Sequence, residues 1–488
     1  QMATDRALIK SAIKLVESQE MAPERAIWEA ATSFADQMAA LGGYMAERVT
    51  DIHDVRARIV AELTGQQAPG IPVSDEPFIL AAIDLAPADT ATLDPEKVIA
   101  LITSDGGPQA HTAILARGLG LPAIVAAKGV TEIADGTIVY VESNEGIVDT
   151  EPTDADREAA IKYANRKPVA DFDGQGVLAD GTRVELYANV GDGKSAEKAA
   201  SLKAEGVGLL RTEFGFLGHD SEPSIETQAK TYKSVFDAFP GKHIVVRTLD
   251  AGADKPLPFL NVNPEENPAL GVRGFRTDWT VPGVLTRQLE AIKAASEDSD
   301  ADIWVMAPMI STTSEARNFA NMLKEIGLPV HGVMVETPAA VMNAEAILGE
   351  VDFVSIGTND LTQYTMAADR LLGDLAHLNN PWQPAVLKMI KMTVEGAQRA
   401  SVTAGKKKYV SVCGEAAADP ALAVVLIGLG VDTLSMNAGA IPAVAAVLKS
   451  VTKEKAQQIA AIALQQISSA EAKESARQAL PILDELGL

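Results

Sequence analysis

Two hydrophobic periods divide this chain. Between residues 5 and 64 apolar side chains recur at helical spacing, with Ala7, Leu8, Ala12, Ile13 and Leu15 on one face and Ile27, Trp28, Phe34, Met38 and Leu41 on another. Pro23 stands where it can start the second helix, and Gly42-Gly43 interrupts it before a third apolar stretch from Met45 to Leu63. Residues 70–150 read differently. Short apolar runs at Phe78–Ala82, Val98–Ile102, Ala123–Ala126 and Ile138–Val141 alternate with turn signals such as Asp135-Gly136, which predicts a small α/β fold. Residues 150–180 are polar and charged around one helical stretch, Ala155 to Arg166, and predict a mobile connector.

From Val184 onward the pattern becomes strand, loop, helix, repeated. Apolar strands are predicted at Val184–Val190, Gly206–Leu210, Ile244–Leu249, Ile303–Met306, Val330–Val335, Phe353–Ile356, Val410–Cys413 and Thr433–Met436. A doubly wound sheet would satisfy the same alternation, but eight strands over about 250 residues favour a (β/α)8 barrel. The expected organisation is therefore an α/β chain: a helical subdomain (1–66), an α/β domain (67–150), a linker (151–180) and a barrel with C-terminal helices (181–488). The Ala-rich end, Thr452 to Leu488, suits packing or dimerisation.

Composition narrows the classes. At 488 residues, 47% hydrophobic and only 5% aromatic, the chain suits an α/β enzyme of two to four domains. A net charge of −24 argues against nucleic acid and anionic membranes as partners, allows attraction to a basic protein, and requires a locally positive pocket for any anionic substrate. Cys413 is the single cysteine, so no internal disulfide can form, as expected in a reducing cytoplasm. No apolar run reaches the ~18 residues of a membrane span, and no signal peptide opens the chain.

Two places carry candidate chemistry. After the Val98–Ile102 strand, a turn at Asp105-Gly106-Gly107-Pro108 leads to His111 and then to apolar residues at helical spacing. Glycines beside a histidine let backbone approach a ligand, and a neutral imidazole suits attack on phosphorus; a solvated residue at a helix start reads the same way. The second place is the set of strand ends. Arg211 follows GVGLL, Arg247 follows HIVV, Glu336 follows GVMV, Asn359-Asp360 follows FVSIGT and Cys413-Gly414-Glu415 follows YVSV, all at the face where barrel enzymes build active sites. Arg211, Arg247 and Arg370 could surround a phosphoryl group. Glu336 and Asp360 beside an anion imply Mg²⁺ between them, or else simple pairing with the arginines. Cys413 alone reads as a small buried hydrophobe.

The segment ITSDGGPQAHTAILARGLGLPAIV resembles the phosphohistidine segment of enzymes that use phosphoenolpyruvate. LLRTEFGFL, VVRTLDAGADKPLPFLN, EENPALGVRGFR, GVMVETPAA, SIGTNDLTQYTMAADR and VCGEAAADP resemble, in order, the barrel motifs of Enzyme I of the bacterial sugar phosphotransferase system. The resemblance runs from Thr4 to Gly487. It implies a phosphoenolpyruvate-dependent phosphotransferase in which His111 is phosphorylated, with Thr90 hydrogen-bonded to it. It implies phosphate binding by Arg211, Arg247 and Arg370, substrate contact by Arg273 and Asn359, Mg²⁺ ligation by Glu336 and Asp360, and proton donation to the enolate by Cys413. It also implies a cytoplasmic homodimer whose helical subdomain docks the phosphocarrier protein HPr. Members of the family begin with a further strand and helix, so Gln1 is expected to lie inside their N-terminal domain. Gln109-Ala110 stand where many members have Thr-Ser, Ala253 replaces a glycine of GGDK, and HLNNPWQPAVL differs from the common HLYQP form; none removes a charged catalytic residue. Competing expectations are a nitrogen-regulatory Enzyme I paralogue and a non-catalytic module that senses phosphoenolpyruvate. A synthase or dikinase would place a nucleotide-binding domain ahead of the histidine, where only about 100 residues stand.

Overall fold

The helical period of the first stretch is realised as three helices, Arg6–Gln19, Pro23–Leu41 and Val49–Thr64, and Pro23 opens the second of them. Leu8, Ile27, Ala30, Ala31, Ala35 and Ile52 bury a common cluster, while the Arg56 guanidinium lies 3.8 Å from the Trp28 ring centroid. The computed structural model describes residues 6–41, 49–66, 70–72, 74–85, 93–94, 97–105, 112, 116, 121–143, 146–164, 169, 171–251, 257–260 and 265–488. The chain divides into two compact units, residues 1–161 and 162–488.

The first unit also holds a parallel three-stranded sheet, β1 (Phe78–Ala82), β2 (Val98–Thr103) and β3 (Ala123–Ile124), in that order. The run of apolar residues in β2 makes it the central, buried strand. An antiparallel pair follows, β4 (Tyr140–Glu142) with β5 (Ile147–Asp149), the second of which the pattern of hydrophobic residues had not revealed. Thr112 Oγ1 donates to Asp84 Oδ1 at 2.6 Å, tying the residue after His111 to the loop beyond β1. His111 itself, Thr90, Gln109, Ala110, Gly42-Gly43 and Ala253 lie outside the described residues. The helix Asp154–Ala164 buries none of its residues, consistent with its polar composition.

The second unit is a closed barrel of eight parallel strands: β6 (Glu185–Val190), β7 (Gly206–Arg211), β8 (His243–Arg247), β9 (Asp302–Ala307), β10 (His331–Val335), β11 (Phe353–Gly357), β12 (Tyr409–Cys413) and β13 (Thr433–Met436). Each pairs with the next, and β13 closes on β6. All eight expected strands are present, and their ends shift by a residue or two. Alternation along each strand sorts side chains into two sets. Val207, Leu210, Ile244, Val246, Val305, Val333, Val354, Val410 and Leu434 point outward into the core shared with the helices. Leu209, Val245, Met306, Met334, Phe353 and Cys413 form a separate inner cluster. At the N-terminal end, aromatic rings fill the bore: His243 meets Tyr187 at 5.1 Å and Trp304 at 4.3 Å, and Trp304 meets Phe353 at 4.9 Å and Tyr409 at 5.9 Å between centroids.

Strand β7 carries one irregularity that matters for the site. Ala188 pairs with Val207 but Asn189 with Leu209, and Val207 pairs with Ile244 but Leu210 with Val246. Gly208 is thus an extra residue, a β-bulge. Strict alternation would put Arg211 on the outward face with Val207. The bulge turns Leu209 and Arg211 inward instead. Only glycine fits there, because a Cβ would overlap Ser435 and press on Tyr187.

The C-terminal helices Lys453–Gln465 and Ser469–Gln478 bury Ala456, Ile459, Ala460, Ala463, Ala472 and Ala476 in the barrel's outer core, so the alanines serve close packing. Among the described residues no helix is long and apolar enough to cross a membrane.

Candidate active site

Inward parity at successive strand ends brings the predicted charged residues together. Arg211 and Arg247 are register partners at the tips of β7 and β8, above the inward-facing Leu209 and Val245. Glu336 directly follows β10, two residues after the inward-facing Met334, and Cys413 ends β12 in register with Gly357 of β11. The helix Thr358–Met366 starts at once after β11, which places Asn359 and Asp360 in its first turn.

The charges form an alternating chain. Arg247 Nη2 donates to both carboxylate oxygens of Glu213, at 3.0 and 3.1 Å, and Nη1 lies 3.5 Å from Asp250 Oδ2. Arg273 grips Asp250 through Nε (3.1 Å) and Nη2 (2.8 Å), and reaches Asp360 Oδ1 through Nη1 at 2.9 Å. Arg370 Nη1 donates to Asp360 Oδ2 at 3.3 Å. Acid and base thus alternate from Glu213 to Arg370. Burial alone would raise the Asp250 carboxyl, yet Arg273 and Arg247 hold it down at about 2. Burial would likewise lower the Arg247 and Arg273 guanidinium groups, but the acids around them, Glu213 and Asp250 for the first and Asp250 and Asp360 for the second, keep both firmly charged.

Two groups stand outside this chain. Arg211 is half-buried and, among the described residues, its side chain makes no hydrogen bond or ion pair. Glu336 is buried and accepts the Met309 amide at 2.6 Å, with no ion pair among the described residues. Burial, reinforced by the charges of Asp360 and Asp250, pushes its carboxyl up to about 8. Arg247 Nε is buried and has no hydrogen-bond partner among the described residues. Cys413 is buried with its Sγ 3.6 Å from the Ile356 carbonyl, and burial raises its thiol, which stays protonated at neutral pH. Asn359 is half-buried near Gly414; a Cβ on Gly414 would come to 3.7 Å from its Oδ1.

This donor set suits an anion held by guanidinium groups and a hard cation held by carboxylate oxygen. Among the described residues no three acids, histidines or cysteines converge to hold a metal alone. Mg²⁺ needs only one or two carboxylates plus substrate and water, and Glu336, raised by burial and then by neighbouring acids, is a carboxyl whose ionised form a cation would favour. Of the two predicted ligands, Asp360 is also held by Arg273 and Arg370, as the ion-pair expectation had it.

Family models for PEP-utilising enzymes match three stretches: the N-terminal domain at residues 1–48, the mobile domain at 74–146 and the PEP-binding domain at 169–453. A phosphoenolpyruvate-protein phosphotransferase of Streptomyces coelicolor is 47% identical over 94% of this chain and 82% of its own length. The chain belongs to this family. Further phosphoenolpyruvate-protein phosphotransferases, from Haloferax volcanii and Staphylococcus carnosus, are 39% and 37% identical over 92% and 88% of the chain and 81% and 77% of their own lengths. The expected Enzyme I family and α/β barrel are thereby borne out.

Within this phosphotransferase the sequence had not singled out Glu213, Asp250, Met309 or Tyr364. Glu213 and Asp250 follow their arginines by two and three residues, which was the available signal. Met309 left none: its left-handed backbone (φ 60°) aims an amide at Glu336. Tyr364 accepts from Arg273 Nη1 at 3.4 Å and donates to the Ala269 carbonyl.

Proposed function

We propose that this chain takes the phosphoryl group of phosphoenolpyruvate onto His111 and passes it to a histidine of the carrier HPr, releasing pyruvate. The observation that carries this reading is the pair Arg211–Arg247. Two guanidinium groups share the closed barrel's C-terminal end; among the described residues one has no partner and the other has a spare buried donor. Such donors, fixed before substrate arrives, stabilise charge on a transferring phosphoryl group.

In this reading Arg211, Arg247 and Arg370 bind the phosphate, Arg273 lines the substrate and Asn359 contacts its carboxylate or phosphate. The imidazole of His111 attacks phosphorus in line, the bond from phosphorus to the enol oxygen breaks, and a phosphoramidate forms. The enolate takes the Cys413 proton at its methylene carbon to give pyruvate, and the thiolate regains a proton from solvent. Glu336 and Asp360 would hold Mg²⁺, which supplies positive charge to the substrate's oxygens. A cytoplasmic homodimer docking HPr through the helices of residues 1–66 completes the proposal, with 67–150 as the phosphohistidine domain, 151–180 as the hinge and 181–488 as the substrate domain.

Labelled phosphoenolpyruvate with Mg²⁺ should place acid-labile phosphate on the protein and none on His111→Ala. Full labelling of that variant would overturn the histidine assignment. Labelling that persists in EDTA would overturn the metal assignment. Loss of label on adding HPr tests the second half of the reaction.

A further inference from the structure

Behind the two arginine-bearing strand tips, on the side away from substrate, lies a buried amide with every bond satisfied. Gln288 belongs to the helix Val284–Glu297 and faces the outer wall of the barrel. Its Oε1 accepts the Leu249 amide at 2.8 Å, and its Nε2 donates to Thr212 Oγ1 at 3.0 Å and to the Tyr232 hydroxyl at 3.1 Å. Thr212 Oγ1 donates in turn to the Arg247 carbonyl at 2.9 Å, and Tyr232 donates to Gln228 Oε1 at 3.2 Å. Thr212, Gln228, Tyr232 and Gln288 are all buried.

The residues joined are informative. Thr212 directly follows Arg211, and Leu249 lies two residues beyond Arg247. Both strands have ended by then, so the ladder between β7 and β8 no longer fixes their separation. The last pair of that ladder is Arg211 with Arg247. Beyond that pair the Thr212 hydroxyl and the Gln288 amide together span the gap. A glutamine suits this because it offers two donors and an acceptor from a single rigid plane. Placed in a dry environment, such a network has one low-energy arrangement, since any shift strands a polar atom without a partner.

We infer that Gln288 is a positioning residue that holds the chain just past Arg211 and Arg247 in place, and through it the aim of the two guanidinium groups at the phosphate. The inference rests on the reading that these two arginines bind phosphoenolpyruvate. A displacement of about 1 Å at a charged binding group is enough to cost one to two orders of magnitude in rate.

The test measures the rate of acid-labile labelling against phosphoenolpyruvate concentration, with Mg²⁺ present, together with thermal unfolding. Gln288→Met keeps the volume and removes the bonds; Thr212→Val removes the shared hydroxyl; Ile292→Val on the same helix lowers stability without touching the network. We expect Gln288→Met and Thr212→Val each to raise the half-saturating concentration roughly tenfold, and the double variant to lose no more than the worse single one. Ile292→Val should stay within about twofold. If both network variants melt lower yet saturate normally, the positioning role is overturned. Should Gln288→Met fail to fold, Thr212→Val decides alone, and normal saturation there overturns it too. Arg211→Ala and Arg247→Ala separate the two layers of the argument: if neither weakens saturation, the phosphate-binding reading has failed, whatever Gln288 does.

Discussion

Arg211 and Arg247 lie side by side because Gly208 is one residue too many. The bulge it forms in β7 lets Arg211 turn inward in register with Arg247, and without it the two guanidinium groups would sit on opposite faces of the barrel wall. Gly208→Ala should therefore do more than destabilise. Overpacking against Ser435 and Tyr187 should cost about 1–3 kcal/mol in urea unfolding, and the half-saturating phosphoenolpyruvate concentration should rise at least as much as in Arg211→Ala. Normal saturation with lowered stability would show that the bulge does not set the direction of Arg211.

The two arginines should respond to truncation differently. Arg211 has no ion pair among the described residues, so Arg211→Ala should leave the urea midpoint nearly unchanged while weakening phosphoenolpyruvate binding. Arg247→Ala takes a buried cation from between Glu213 and Asp250 and should cost about 3–5 kcal/mol as well. Equal midpoints for the two variants would contradict the charge chain drawn from Glu213 to Arg370.

Asp250 gives a pH signature. Its carboxyl sits at about 2 in the folded chain against an ordinary 3.8, so the folded state binds the proton less tightly. Its stabilisation is complete above pH ~4 and fades as pH falls toward 2. Urea titrations should show Asp250→Asn clearly weaker than the parent at pH 6, with the gap narrowing as pH falls from 4 toward 2. A gap of constant size over that range would mean that Asp250 is not held by Arg273 and Arg247.

Cys413 should be slow to alkylate. Burial raises its thiol above an ordinary 9.0, so iodoacetamide should react little at pH 8 and faster only beyond pH 9. Cys413→Ala should form pyruvate about 10²-fold more slowly while keeping its melting temperature within a few degrees. Rapid alkylation at pH 7 would remove the thiol as a proton donor held in reserve.

The linear order of residues was enough to determine the barrel. Eight apolar runs separated by helical stretches leave few ways to bury both, and the charged residues closing those runs could be assigned to the open end because side chains at strand tips point there. The Enzyme I motifs named the family from residue types alone. What depended on tertiary structure was direction and pairing. A bulge reverses parity in a way no two-residue period can reveal, since the extra residue is recognised only against its neighbours on β6 and β8. Asp250 touches Arg273 because two loops converge, not because 23 positions separate them. Gln288, an ordinary polar residue on an amphipathic helix, became significant only when its amide was found between two strand ends. Local sequence sets which elements form, because propensity and periodicity act over a few residues. Which side chain meets which is settled by closure of the whole barrel, where contacts span the length of the chain.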